Sequence, residues 1–201
     1  MSGIERPQKL FLASGNAGKL REFRVLAEAM GKHWVLDLLP DFASTPEFEE
    51  TAPTFAENAA GKAFYYSRHC EGTVFADDSG LVVPALGGAP GVFSARYAGA
   101  GASNEQCIAK LLGEMKGLAG AQRSAYFVCV VAAAERGRAL AVVSEKVDGE
   151  ILEVPRGEGG FGYDPVFYFP PLGKSFAELR AEEKSQHSHR GKAFRRLMEV
   201  L

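Results

Sequence analysis

The chain is poor in cysteine and has no cysteine motif. Its three thiols, Cys70, Cys107 and Cys129, are odd in number and far apart, with no C-x-x-C. That excludes a disulfide framework, a zinc knuckle and a dithiol redox pair, and leaves free thiols suited to a reducing compartment. An excess of either charge is also missing, with 23 basic against 25 acidic side chains and a net charge of -2. No diffuse positive field advertises nucleic acid, so an anionic partner must be held locally. Long apolar runs are absent as well. The longest, "YFVCVVAAA", is too short to cross a bilayer, and "MSGIERPQKLFLASGN" lacks the apolar stretch of a signal peptide. The expectation is a soluble cytoplasmic protein with no membrane partner. At 201 residues, 46% of them hydrophobic, the chain can build one good core, and it shows no repeat, low-complexity tract or linker. One domain spanning 1-201 is expected.

The pattern of what is present reads as alternating strands and helices. "QKLFLAS" is a short buried strand that breaks at Gly15 into a helix, where Leu20, Phe23, Leu26, Ala27 and Met30 recur at helical spacing and Gly31 is a stop. "WVLDLL" is a second strand, followed by the acidic loop "PDFASTPEFEETAP". Thr54 and Glu57 form a capping-box pattern for a second helix running to about Cys70, and Ser103 and Gln106 repeat it for a third. Between those helices, "TVFA" and "LVVPAL" read as strands on either side of Asp77-Asp78, and "GGAPGVFSARYAGAGA" reads as loop. "RSAYFVCVVAAA" and "RALAVVSEKVDGEI" flank the polar turn "ERG" as an antiparallel hairpin. A glycine-rich loop, the strand "VFYFP" and a charged helical tail follow, with Ser188 placed to cap the last helix. This order predicts an α/β protein with a mixed sheet, flanking helices and two lobes around a central cleft.

Several stretches could carry chemistry, and each has a plainer reading. "SGNAGK", residues 14-19, sits at a strand-to-helix turn, where backbone amides and Lys19 suit a phosphate. It is not a Walker loop, since only two residues separate Gly15 from Gly18-Lys19 and Leu20 follows; it could equally be an ordinary turn with a solvated lysine. Asp77 and Asp78 stand between two apolar runs. They suit either a hairpin turn or a hard-cation site, in which magnesium takes one or two carboxylates and completes its shell with water and phosphate. Glu50 in "EFEET" could supply a second carboxylate or belong to a solvated loop. Lys62 lies within the second helix, where most lysines are surface residues. Phe161, between glycines in "GGFGYD", could stack on a base or plug a core. "EEKSQHSHRG" gathers Lys184, His187, His189 and Arg190, and lacks the Cys or acidic partners that would make H-x-H a metal site.

Taken together, these motifs resemble the inosine triphosphate pyrophosphatases, a family also known for dITP/XTP and other non-standard purine nucleoside triphosphates. "SGNAGKLREF", "EETAPTFAENAAGKA", "ADDSGLVVPALGGAPGVFSARYAG", "GEGGFGYDPVF" and "EEKSQHSHRG" stand in the family's order and spacing almost from end to end. The resemblance implies a mixed α/β fold of two lobes around an active-site cleft, usually a homodimer. It also implies Mg2+-dependent hydrolysis of ITP, dITP or XTP to the monophosphate and pyrophosphate, which keeps deaminated purines out of DNA and RNA. Carried onto this sequence, Ser14, Gly15, Asn16, Ala17, Gly18 and Lys19 form the phosphate turn, and Lys62 faces a phosphate. Glu50 and Asp78 match the metal-binding acids, with Asp78 the proton acceptor. Ser79 contacts substrate, Phe161, Gly162, Tyr163 and Asp164 form the base-side loop, and Lys184, His189 and Arg190 complete the pocket. His187 lies outside the motif and receives no role. Asp77 is expected to support the turn or a water. A pyrophosphatase of other base preference and a nucleotide sensor without turnover are the competing readings.

Overall fold

The computed structural model describes residues 8–30, 34–40 and 42–201. Gly31, expected to end the first helix, lies outside the described residues, as do the first seven positions and Asp41 of the acidic loop. Seven strands form one sheet in the order β2-β1-β3-β4-β5-β6-β7. Strand β1 (Gln8–Leu12) pairs parallel with β2 (Trp34–Leu38) and with β3 (Thr73–Val82). Parallel neighbours need crossovers, and helices α1 (Ala17–Ala29) and α2 (Phe55–Tyr66) lie in the two connections. β4 (Ser124–Glu135) and β5 (Arg138–Ile151) are joined by Arg136 and Gly137, both at positive φ (49° and 72°), the two-residue turn that closes an antiparallel hairpin. β6 (Phe167–Phe169) pairs antiparallel with β5 and with the two-residue β7 (Lys174–Ser175). The sheet is therefore mixed, with flanking helices, as the element order predicts.

By compactness the chain divides into one unit of residues 1–78, 130–144 and 193–201, and a second of 79–129 and 145–192. In the first, Ala59, Ala63 and Tyr66 of α2 pack with Phe11, Val74, Ala76, Val130 and Ala132 of the strands. A second aromatic group joins Phe23 of α1, Phe75 of β3 and Phe194 of helix α5 (His189–Val200), with ring centroids 5.0–5.6 Å apart. Strand side chains alternate between faces, so Val74 and Ala76 serve one cluster and Phe75 the other. In the second unit, helix α3 (Asn104–Glu114) buries Cys107, Ile108 and Leu111 against Leu81, Phe127, Phe167 and Phe176. Each such fully buried large side chain contributes about 1.5–3 kcal/mol relative to exposure.

Three local expectations are corrected. β3 is one continuous strand of ten residues, so Asp77 and Asp78 lie within it and not in a turn between two strands. The glycine-rich "GGAPGVFSARYAGAGA" region carries 3-10 helix at Gly91–Arg96, and another 3-10 turn, Pro84–Leu86, immediately precedes it. Helix α2 ends at Tyr66, short of Cys70. There the Ser67 hydroxyl donates to the Phe64 carbonyl (2.9 Å) and accepts from the Gly137 amide (3.0 Å), so this side chain is bound up in a chain turn. The caps follow the sequence. Ser103 and Gln106 exchange both bonds of a capping box on α3, and Ser188 Oγ accepts from the Gly191 amide at the start of α5.

Candidate active site

In the first unit the turn from β1 into α1 is closed by Asn16, whose Oδ1 accepts from the amides of Gly18 (2.9 Å) and Lys19 (3.1 Å). Ser14 Oγ accepts from the Asn16 amide, and Ala17 is the first helical residue. The side chain of Asn16 is therefore the N-cap, and it covers two of the amides that the sequence offers to an anion. Gly15 adopts no positive φ and has room for a Cβ, whose nearest neighbour would be Phe42 at 3.6 Å. Lys19 reaches back to β3 and pairs with Asp77 (Nζ to Oδ2, 3.0 Å), a carboxylate only 1% exposed. Asp77, expected to support a turn or a water, lies inside a strand and is half of a buried ion pair.

The opposite side of β3 meets α2. Asn58 and Lys62 lie one helical turn apart on its inward face, and both are buried. Asn58 Nδ2 donates to Asp78 Oδ2 (3.0 Å), and Lys62 Nζ pairs with Glu50 Oε1 (2.5 Å). The loop carrying Glu50 is tied to the same helix. The Phe48 amide donates to Tyr66 OH (3.1 Å), and the Phe48 ring fills the notch at Gly61, where a Cβ would stand 2.7 Å from Cζ. The Asp78 carboxyl is pushed up to about 6, first by burial and then by the like charge of Glu50, with Asn58, Lys62 and Lys19 opposing. A buried carboxyl that ionises at a cost, with a second carboxylate near it, suits a hard divalent cation. Among the described residues no cluster of three or more His, Cys, Asp or Glu offers a fuller protein shell. The donor set therefore fits a cation that draws its remaining ligands from water and phosphate.

The second unit gathers the other matched residues. Asp164, 2% exposed, accepts from the Phe161 amide (2.8 Å) and, at 2.6 Å, from Nζ of Lys184 on helix α4 (Ala181–His187). Gly160 makes this possible: at φ +73° an added Cβ would run into the Asp164 carboxylate. The Phe161 ring, half-buried beside Gly162, faces Lys184 Nζ (4.8 Å) and the Arg190 guanidinium (5.3 Å). Arg190 Nη2 donates to Ser79 Oγ at 3.4 Å. His189 stacks on Phe127, with ring centroids 4.6 Å apart and planes 12° from parallel. Tyr163 differs from its neighbours: its ring belongs to the core, and its hydroxyl, pushed up by burial, donates to the Ser94 carbonyl (2.9 Å). His187 contacts the Phe169 ring at 5.6 Å.

Sequence reasoning missed Asn58, Phe127 and the Lys19–Asp77 pair. The signal for Asn58 was present, since N-x-x-x-K places two polar residues on the face of α2 that also carries Ala59, Ala63 and Tyr66.

A mixed α/β fold with a lysine-bearing turn after its first strand and carboxylates near it defines a class of site suited to a phosphorylated ligand and a cation. The chain belongs to the Ham1 family, whose model matches residues 10–200. It is 54% identical over 192 residues to the dITP/XTP pyrophosphatase of Geobacillus kaustophilus, covering 96% of this chain and 93% of that one. It is 49% identical to the protein of the same name from Thermus thermophilus, over 97% and 92% of the two chains. Among solved structures, a HAM1 protein from Coxiella burnetii superposes with a TM-score of 0.85 at 40% identity, over 96% of this chain and 98% of that one.

Proposed function

We propose that the protein is a pyrophosphatase that hydrolyses non-standard purine nucleoside triphosphates, ITP, dITP and XTP, to the monophosphate and pyrophosphate with Mg2+. The observation that carries this reading is the pair of Asp78 on β3 and Glu50 on the loop before α2, held by Asn58 and Lys62 of α2, with Asp78 buried at a cost that a cation and a bound water would offset. Membership in the Ham1 family and the names of the relatives support the substrate class. Asp78 orients the attacking water and accepts its proton as the new oxygen–phosphorus bond forms at the α-phosphorus. The α–β bridging bond breaks, and its electron pair leaves with pyrophosphate. Glu50 and Asp78 are the residues that would hold Mg2+, which supplies neutralisation of the phosphate charge. Ser14 to Lys19 and Lys62 receive the triphosphate, while Phe161 to Asp164, Lys184, His189, Arg190 and Ser79 receive the purine. A 6-oxopurine presents an acceptor at O6, where Arg190 or His189 can donate; adenine presents a donor there and leaves that group unpaired.

The test is to incubate the purified protein and Mg2+ with equal concentrations of ITP, XTP, GTP and ATP, assaying pyrophosphate and orthophosphate separately. Pyrophosphate from ITP and XTP with little from GTP or ATP is expected. Orthophosphate would move the attack to another phosphorus, and tight ITP binding without product would make the protein a sensor. We further propose a cytoplasmic homodimer of single-domain chains cleansing the nucleotide pool. The interleaving of the two units along the sequence supports a single domain, and light scattering tests the dimer. Among the described residues no helix is long and apolar enough to cross a membrane.

A further inference from the structure

Asn58 is 1% exposed and lies outside every residue matched to a phosphate, metal or base contact. An amide on the inward face of a helix is unfavourable unless all its polar groups are paired. Here all are paired. One Nδ2 hydrogen goes to Asp78 Oδ2 (3.0 Å) and the other to the Ala52 carbonyl (3.2 Å), while Oδ1 accepts from the Ala52 amide (3.0 Å). These partners also fix which end of the side chain is nitrogen, since the reversed amide would set oxygen against two acceptors. Ala52 is two residues from Glu50, so a single side chain grips both the loop bearing one carboxylate and the strand bearing the other. Those carboxylates repel, and a loop left to itself would let them part.

We propose that Asn58 is a positioning residue for the hydrolytic reaction, clamping the Glu50 loop to α2 and turning Asp78 so that its second oxygen is presented to water and cation. This inference rests on the reading of Glu50 and Asp78 given above. It explains why α2 carries a buried polar residue at this place: Lys62 balances Glu50, and Asn58 aims Asp78 without a second positive charge.

Two substitutions separate the halves of the clamp. Asn58→Ala removes all three bonds. Asn58→Asp keeps an acceptor for the Ala52 amide and replaces the donors with a carboxyl that repels Asp78 or shares a proton with it. We expect both variants to lose about tenfold to a hundredfold in kcat at saturating substrate and metal, with KM moved less than about threefold. In the metal-free proteins, the Ala52 amide should lose hydrogen-exchange protection in Asn58→Ala and keep it in Asn58→Asp. Asp78→Asn is measured beside them. If Asp78→Asn retains full turnover, the reading of the carboxylates fails, whatever Asn58 does. If Asp78→Asn is inactive while Asn58→Ala turns over like wild type, Asn58 does not aim Asp78 and the proposal is overturned. Should Asn58→Ala fail to fold, Asn58→Leu, which keeps the branched shape without charge or hydrogen bonds, decides it in the same way.

Discussion

Successive side chains of a strand leave opposite faces, so Asp77 meets Lys19 of α1 while Asp78 meets Asn58 of α2. This alternation gives two adjacent carboxylates different work. Asp77 is neutralised by a lysine 3.0 Å away. Asp78 is raised in proton affinity by its burial and then by the charge of Glu50, which together outweigh the neutral amide of Asn58 that donates to it. The residue scale also bears on base choice. Arg190 is buried and held by Ser79, with its guanidinium over Phe161, so its donors are fixed before any base arrives. Arg190→Ala should narrow the preference for ITP over ATP by about 1–3 kcal/mol, roughly fivefold to a hundredfold in the ratio of kcat/KM values. An unchanged ratio would remove Arg190 from base selection.

At the scale of elements, helix α3 and the loop before Asp164 make separable predictions. Ser103 and Gln106 close both ends of the α3 capping box. Ser103→Ala should cost about 1 kcal/mol of unfolding free energy, read by denaturant titration, and leave kcat unchanged. Gly160 is different because its lack of a side chain serves the site. Gly160→Ala would strain a backbone at φ +73° and push its methyl into the Asp164 carboxylate that holds Lys184 and the Phe161 amide. We expect kcat/KM for ITP to fall by more than about tenfold, since 1–3 kcal/mol of strain falls on this loop. Wild-type kinetics in Gly160→Ala would show that the arrangement of Asp164 does not matter to substrate. Elements also show where the sequence was legible. The helix starts at Thr54, Ser103 and Ser188 were readable because a cap is a bond between near neighbours in the chain. The strand identity of Asp77 and Asp78 was not, because Asp and Ser favour turns locally and it is pairing within the sheet, where β3 lies between β1 and β4, that holds this segment extended.

For the whole molecule, the raised proton affinity of Asp78 sets a pH dependence of stability. With its carboxyl pushed up to about 6 in the folded protein, against 3.8 for the unperturbed group, the native state binds the proton more tightly than the unfolded chain. Its contribution is therefore most favourable at low pH, is lost as pH rises through that window, and is level above it. Asp78→Asn cannot ionise and should gain stability relative to wild type as pH rises from about 4 to about 6, reaching at most about 3 kcal/mol and holding it above. Unfolding of both proteins in chelator tests this, and parallel curves across that range would show that Asp78 is not under strain. Mg2+ should reduce the difference by stabilising wild type alone.

The sequence by itself determined the alternation of strands and helices, the caps and the residues that match the Ham1 family, because hydrophobic period, capping and motif spacing are properties of neighbours along the chain. It also determined that the thiols are three and widely spaced. Only the tertiary structure decided that Lys19 belongs to Asp77, that Asn58 and Lys62 divide Asp78 and Glu50 between them, that Tyr163 is a core residue and that Phe127 carries His189. Those pairings join residues between 12 and 62 positions apart. Charge and hydrogen bonding act over a few ångströms of space, and no local rule of the chain says which of two adjacent carboxylates will face which helix.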